Sequence, residues 1–297
     1  MSNPYYKDYA DFLAERFDGK VQKITVNAGF TCPNRDGTLG RGGCSYCNNR
    51  SFSPTTGVAT QSISQQIIDG KRFFRKKYPE MRYLAYFQSY TNTYGEVERL
   101  LALYKEALAD DEVVGLIIGT RPDCMPNELL TRLAELNKFK PIIIEYGAES
   151  SHNSTLAAVN RCHDWGTTVD AVMRTHNAGL TVGLHFILGL PGENREMMMQ
   201  TVDRLSQLPI DCVKFHQLQI IKGTQLAADY MSGKLNIHLF EVDEYILLCA
   251  DIVSHIRPDI AIERFVSQSP DNLLIAPRWG LKNYEFTHRL FNALALK

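Results

Sequence analysis

The sequence predicts an α/β protein built as a barrel or partial barrel of parallel strands. Three observations carry that reading. Apolar, strand-like runs begin near residues 24, 83, 113, 141, 181 and 212, with amphipathic helical runs between them. The later intervals, about 30 to 40 residues, are the size of a βα unit. Each run ends in glycine and polar residues, where α/β folds place their chemistry. A doubly wound sheet would give the same alternation, but polar ends after all six strands favour the barrel.

In the first strand, Ile24, Val26, Ala28 and Phe30 alternate with Lys23, Thr25, Asn27 and Gly29, and the run continues into Thr31-Cys32. Ile63, Ile67, Phe74 and Tyr78 recur at helical spacing, and the same helix carries Lys71, Arg72, Arg75, Lys76 and Lys77. Tyr83 to Phe87 is the second strand and ends in Gln88-Ser89-Tyr90-Thr91-Asn92-Thr93-Tyr94. Val97, Leu100, Leu101, Tyr104 and Leu108 share one helical face. Val113 to Ile118 is a short apolar strand before Gly119-Thr120-Arg121-Pro122-Asp123, and Pro126 opens a helix with Leu129, Leu133 and Leu136. Pro141 to Tyr146 is the fourth strand, followed by Gly147-Ala148-Glu149-Ser150. A helix near 167–178 leads to the fifth strand, Thr181 to Leu188, which ends in Gly189-Leu190-Pro191-Gly192. Met198, Val202 and Leu205 mark a helix, and Val213 to Ile221 the sixth strand. From about 235 the pattern changes. Val242, Tyr245, Cys249, Ile252 and Ile256 predict one long helix, Ile260 to Phe265 one more strand, and Tyr284 to Leu296 a last helix. The division is an N-terminal extension over 1–20, a barrel over 21–234 and a C-terminal extension over 235–297, packed onto the barrel.

At 297 residues, with 44% hydrophobic and 22% charged residues, the chain is an ordinary globular protein of one large domain or two modest ones. Met1 to Asp11 lacks an apolar signal-peptide core, and no apolar run is long enough to span a bilayer. A net charge of −1 gives no overall pull toward nucleic acid or membrane, though local patches matter more. Seven cysteines, an odd number with three of them in one loop, argue against a disulfide framework and fit a reducing cytoplasm.

The chemistry concentrates at Cys32, Cys44 and Cys47, spaced C-x11-C-x2-C around a loop rich in glycine (Gly37, Gly40, Gly42, Gly43). Thiolates hold zinc or iron–sulfur clusters. Three without an obvious fourth suit a cluster that keeps one iron open. The other reading is a zinc loop, a binding module without catalysis, closed by His152, His163, His185 or His216. Cys124, Cys162, Cys212 and Cys249 are widely separated and read as buried neutral thiols.

These residues resemble the radical S-adenosylmethionine (SAM) superfamily, and more narrowly the YhcC-type family. The resemblance rests on Val26 to Gly37, Gly43 to Cys47, Gln88 to Tyr94, Gly119 to Asp123 and His185 to Gly192, in the expected order over about 24–192. The catalytic subunit of Elongator and the oxygen-independent coproporphyrinogen oxidases are wider relatives. The resemblance implies a partial six-stranded (β/α) barrel with a [4Fe-4S] cluster and SAM at the strand C-termini. It implies Cys32, Cys44 and Cys47 as cluster ligands and Tyr46 near the adenine. Ser89 to Asn92, Thr91 included, would meet the methionine amino group. Glu149 would accept the ribose hydroxyls, Arg161 would pair with the methionine carboxylate, and His185 and Gly189 would approach the nucleoside or substrate. Two departures stand out. The superfamily's usual spacing is C-x3-C-x2-C, whereas here the first gap is eleven; Gly119 stands where the Elongator subunit has Glu, so that side chain's contact does not transfer.

The implied chemistry is reductive cleavage of SAM to a 5′-deoxyadenosyl radical, with an electron donor such as flavodoxin or ferredoxin. The implied substrate is uridine at the tRNA wobble position, in a family linked to remodelling carboxymethyl-type groups there. Lys71, Arg72, Arg75, Lys76 and Lys77, with Phe73 and Phe74, are candidate RNA contacts, as are Arg35, Arg41 and Arg50 around the cysteine loop. A solvated helix face explains the first set equally well. A porphyrin precursor or other small molecule is the alternative substrate.

Overall fold

The six predicted runs form six adjacent parallel strands in chain order: β1 (Val21–Val26), β2 (Arg82–Phe87), β3 (Val113–Thr120), β4 (Ile142–Glu149), β5 (Thr181–Leu188) and β6 (Cys212–Gln217). The structure, a computed structural model, describes residues 3–52, 59–77 and 80–297. The predicted helix residue Tyr78 lies outside them. Two short strands follow, β7 (Ile220–Ile221) and β8 (Ala261–Arg264), and then β9 (Leu274–Ala276).

The helices are α1 (Tyr9–Ala14), α2 (Pro33–Asp36), α3 (Ile63–Arg75), α4 (Val97–Leu108), α5 (Asn127–Asn137), α6 (Asn153–Ala158), α7 (Trp165–Asn177), α8 (Arg195–Ser206), α9 (Gln225–Met231), α10 (Val242–His255) and α11 (Asn283–Ala295). Helices α3, α4, α5, α7 and α8 cross between successive strands. The main core lies between them and the sheet, where Ile24, Val26, Phe87, Ile118, Ile144, Leu184 and Phe215 are buried with Ile67, Leu101, Leu133 and Val202. At the N-terminal ends of the strands, α1 packs Tyr9 and Phe12 against Leu84, Ile117, Ile143, Cys212 and Ala261.

Three differences from the sequence reading have local causes. The first strand ends at Val26, not Phe30. The side chain of Gln66 accepts from the Asn27 N–H at 2.8 Å and donates to the Asn27 carbonyl at 2.9 Å, so those groups leave the ladder. The sixth run splits, because β7 turns away to pair antiparallel with β9 in a separate two-stranded sheet. The predicted strand after residue 260 is β8, and it joins β6 in parallel, so the main sheet has seven strands. The sheet curls into an open half-barrel whose edge strands are spanned by side chains: Lys23 on β1 reaches Glu263 on β8 at 2.6 Å, and Asp8 bridges Ile262. Among the described residues no helix is long and apolar enough to cross a membrane.

Candidate active site

The long gap between Cys32 and Cys44 is folded back on itself. Pro33 starts the one-turn helix α2, and Gly37 ends it in the left-handed region at φ 97°. The N–H groups of Leu39 and Gly40 return to the Pro33 carbonyl at 2.9 and 3.2 Å. Asn34 is fully buried at the loop's centre. A Cβ at Gly40 would lie 2.2 Å from Asn34 Oδ1, so only glycine fits there.

A second segment clamps the loop from outside. Ser45 donates to the Val159 carbonyl at 3.0 Å, and the Asn160 side chain donates to the Gly43 carbonyl at 2.9 Å. Asn34 donates to the Asn160 carbonyl at 2.5 Å. Asn160 and Cys162 both hold left-handed backbone, at φ 54° and 61°, and so do Tyr90 and Glu149 at 62° and 68°. Such non-glycine conformations cost about 1–3 kcal/mol each and cluster at functional sites. Here two of them flank Arg161 and aim it inward. Its Nη1 lies 3.5 Å from Cys44 Sγ, its Nη2 bonds the Gly147 carbonyl at 2.5 Å, and Glu149 Oε1 is 3.6 Å away.

Cys32, Cys44 and Cys47 line one cavity of about 230 Å³ at the C-terminal ends of the strands, together with Tyr46, Thr91, Arg121, Glu149, Arg161 and His185. Arg121 grips Asp123 through two bonds of 2.8 and 2.9 Å and reaches the Arg161 carbonyl at 2.8 Å. Even so, three buried donors here have no partner: Arg161 Nε, Arg121 Nη1 and the Tyr46 hydroxyl. Burial pushes the Cys47 thiol up to about 11, and the neighbouring Cys44 adds to this.

Below the cavity lies a charged layer that the sequence reading missed apart from His185. Glu145 is only 1% exposed; it takes hydrogen bonds from His185 at 2.9 Å and Lys214 at 3.1 Å, and Lys23 is 3.5 Å away. Glu263 pairs with Lys23 at 2.6 Å and Lys214 at 3.2 Å. Burial alone would raise the Glu145 carboxyl; Lys214, then Lys23, more than reverse this and hold it well below its ordinary value. Lys214 and His216 stand at period two in an apolar strand, which is the signal for an inward polar face.

The structure gathers most of the predicted site residues but not all. Gly189 is absent from the cavity wall: it turns at φ 88°, and a Cβ there would meet Phe240 at 2.9 Å. Ser89 is buried and is not among the residues that line the cavity, whereas Thr91 is. The basic end of α3 precedes β2 and therefore lies at the N-terminal ends of the strands, opposite the cavity. Lys71 pairs there with Asp110 at 2.7 Å and also with Glu112, Arg75 bonds Glu112 at 2.5 Å, and Arg72 reaches Asp69 at 3.4 Å. Cys124, Cys212 and Cys249 are buried, but Cys162 is exposed, contrary to expectation. Its left-handed backbone holds it on the outer side of the clamp, where its thiol reaches Asn34 Oδ1 at 3.0 Å. Of the histidines weighed as zinc ligands, His152 bonds the Met197 carbonyl at 2.8 Å and His185 bonds Glu145. Among the described residues, no three His, Cys, Asp or Glu side chains converge as a single metal ion requires.

The partly buried imidazoles make the fold sensitive to mild acid. Burial, helped by Arg161, pushes His163 down to about 3. Burial, helped by Lys214 and Arg264 respectively, pushes His185 and His216 below the ordinary 6.5. Below about pH 6.5 the unfolded imidazoles take protons that the folded ones refuse, so protons favour the unfolded chain. Stability is expected to fall by about 1.4 kcal/mol per pH unit for each histidine that stays neutral. Glu145, with its depressed folded value, keeps its contribution throughout this window and loses it only at lower pH. Urea midpoints between about pH 7.5 and 5 check this; a flat profile would contradict it.

A half-barrel of parallel strands with three loop thiols at its C-terminal mouth defines a class of cofactor-dependent α/β enzyme. The chain belongs to the radical SAM superfamily: residues 30–205 match that family, and residues 210–295 match the radical SAM C-terminal domain. It is 37% identical over 273 residues to YtqA of Bacillus subtilis strain 168, covering 92% of this chain and 84% of that one. It is 37% identical over 268 residues to YhcC of Escherichia coli K12, covering 90% and 85%. A tRNA uridine(34) acetyltransferase of Methanocaldococcus jannaschii is 27% identical over 129 residues, 42% of this chain and 23% of that protein. The solved structure of Methanocaldococcus infernus Elp3 shares the fold with a TM-score of 0.72 at 18% identity, over 93% of this chain and 63% of that one. Membership in this enzyme superfamily leaves no place for the non-catalytic zinc module.

Proposed function

We propose that Cys32, Cys44 and Cys47 hold a [4Fe-4S] cluster beside a SAM site, and that the enzyme modifies the side chain of a tRNA wobble uridine. The observation that carries the cofactor reading is the pairing of three thiols with unsatisfied buried donors in one cavity. Arg161 Nε and Arg121 Nη1 are cationic donors without partners, suited to a carboxylate such as that of the methionine moiety. When bound, the cluster and SAM supply a 5′-deoxyadenosyl radical, at the expense of one electron from an external donor such as flavodoxin or ferredoxin.

The chain's own residues bind, orient and exclude water. Tyr46 offers a partly buried ring to the adenine. Glu149, held beside Arg161, offers carboxylate oxygens to ribose hydroxyls. Thr91 lines the wall. His185 is fixed by Glu145 with its ring toward the cavity.

The tRNA reading draws on the similarity to the tRNA uridine(34) acetyltransferase. Exposed Arg41 and Arg50 beside the cysteine loop are better placed for RNA at the mouth than the paired cations of α3. Mass spectrometry of tRNA nucleosides from a strain lacking the gene, with and without a complementing copy, tests it. A wobble uridine precursor that accumulates and disappears on complementation is expected. An unchanged nucleoside profile would remove tRNA and leave a small-molecule substrate.

A further inference from the structure

We propose that Arg264, at the end of β8, is the seat of an anion-binding subsite in the floor of the cavity, taking a carboxylate or phosphate carried by the substrate. This rests on the reading above that the cavity receives substrate.

The charge inventory of the floor points there. Three cations, Lys23, Lys214 and Arg264, face two carboxylates, Glu145 and Glu263. Both carboxylates are taken by the two lysines. Among the described residues the Arg264 side chain makes no ion pair or hydrogen bond, although Glu263 feels its charge, and its Nε is buried without a partner. The neighbouring imidazoles cannot supply a counter-charge. His185 is bonded to Glu145, and His216 packs its ring 6.0 Å from that of His185. Both His216 and Arg264 line the cavity.

The backbone is arranged to present this side chain. Val213 pairs with Ile262, but the next residue, Lys214, pairs with Arg264, so Glu263 is an extra residue on β8. A bulge of this kind re-aims side chains and is common beside active sites. It lets Glu263 reach the two lysines while Arg264 also faces the cavity, where strict alternation would have put them on opposite faces. A partly buried guanidinium without a bonded counter-ion is costly in the free protein. A planar carboxylate or a phosphate oxygen pair on the substrate would satisfy its fork bidentately.

Binding of two probe pairs to the reconstituted holoenzyme tests this by calorimetry. The first pair is 5-carboxymethyluridine against its neutral amide, 5-carbamoylmethyluridine; the second is uridine 5′-monophosphate against uridine. Wild type is expected to prefer the charged member of one pair by about tenfold, and the pair that shows it identifies the anion. Arg264→Gln should erase the preference, and Arg264→Lys should keep part of it, with SAM affinity unchanged in both. Equal binding within both pairs by wild type would overturn the proposal, and that measurement needs no variant to fold. So would a preference that survives in Arg264→Gln, or a loss confined to SAM affinity. Failure of the tRNA reading would show separately, in the nucleosides of the deletion strain.

Discussion

Replacing Cys32, Cys44 or Cys47 by alanine, one at a time, is expected to drop iron from about four atoms per chain to below about one and to abolish SAM cleavage. Each thiol lines the same cavity, and the loop that carries them is fixed by the buried Asn34 and by the 159–162 clamp. Among the described residues no other cysteine lines the cavity to replace a removed thiolate. Alanine at Cys124, Cys212 or Cys249, buried elsewhere, or at the exposed Cys162, should leave iron and sulfide unchanged. Iron and sulfide assays with the visible absorption spectrum of anaerobic protein check both halves. A loop variant that keeps its iron, or Cys162→Ala that loses it, would contradict the assignment.

Glu145→Leu is expected to cost about 3–5 kcal/mol of stability, because it strands Lys214 and Lys23 on a single remaining carboxylate in the barrel interior. Pairing it with Lys214→Met removes the surplus charge and should recover roughly half of the loss. Urea denaturation of the single and double variants measures this coupling. Additive losses would mean that the charged layer contributes only as packing.

The parallel order of β1 to β6 was legible because each strand is an apolar run followed by a polar, glycine-bearing end, and local periodicity suffices for that. The three thiols were legible for the same reason: they share one short stretch. The rest depends on contacts far apart in the chain. The interior ion layer joins residues 23, 145, 185, 214 and 263 on five different strands, and no single strand records which of them pair. The clamp around Arg161 uses left-handed asparagine and cysteine, a conformation no composition signal announces. The early end of β1 depends on Gln66, thirty-nine residues away. The basic end of α3 read as an RNA surface because its partners, Asp110 and Glu112, lie on the far side of the next strand and helix.

The central claim is that these residues hold a cluster and SAM so that one electron splits the sulfonium. Anaerobically reconstituted protein, given SAM and dithionite, should release 5′-deoxyadenosine and methionine in equal amounts. Protein that carries a full complement of iron and sulfide, binds SAM and still leaves it uncleaved would contradict it.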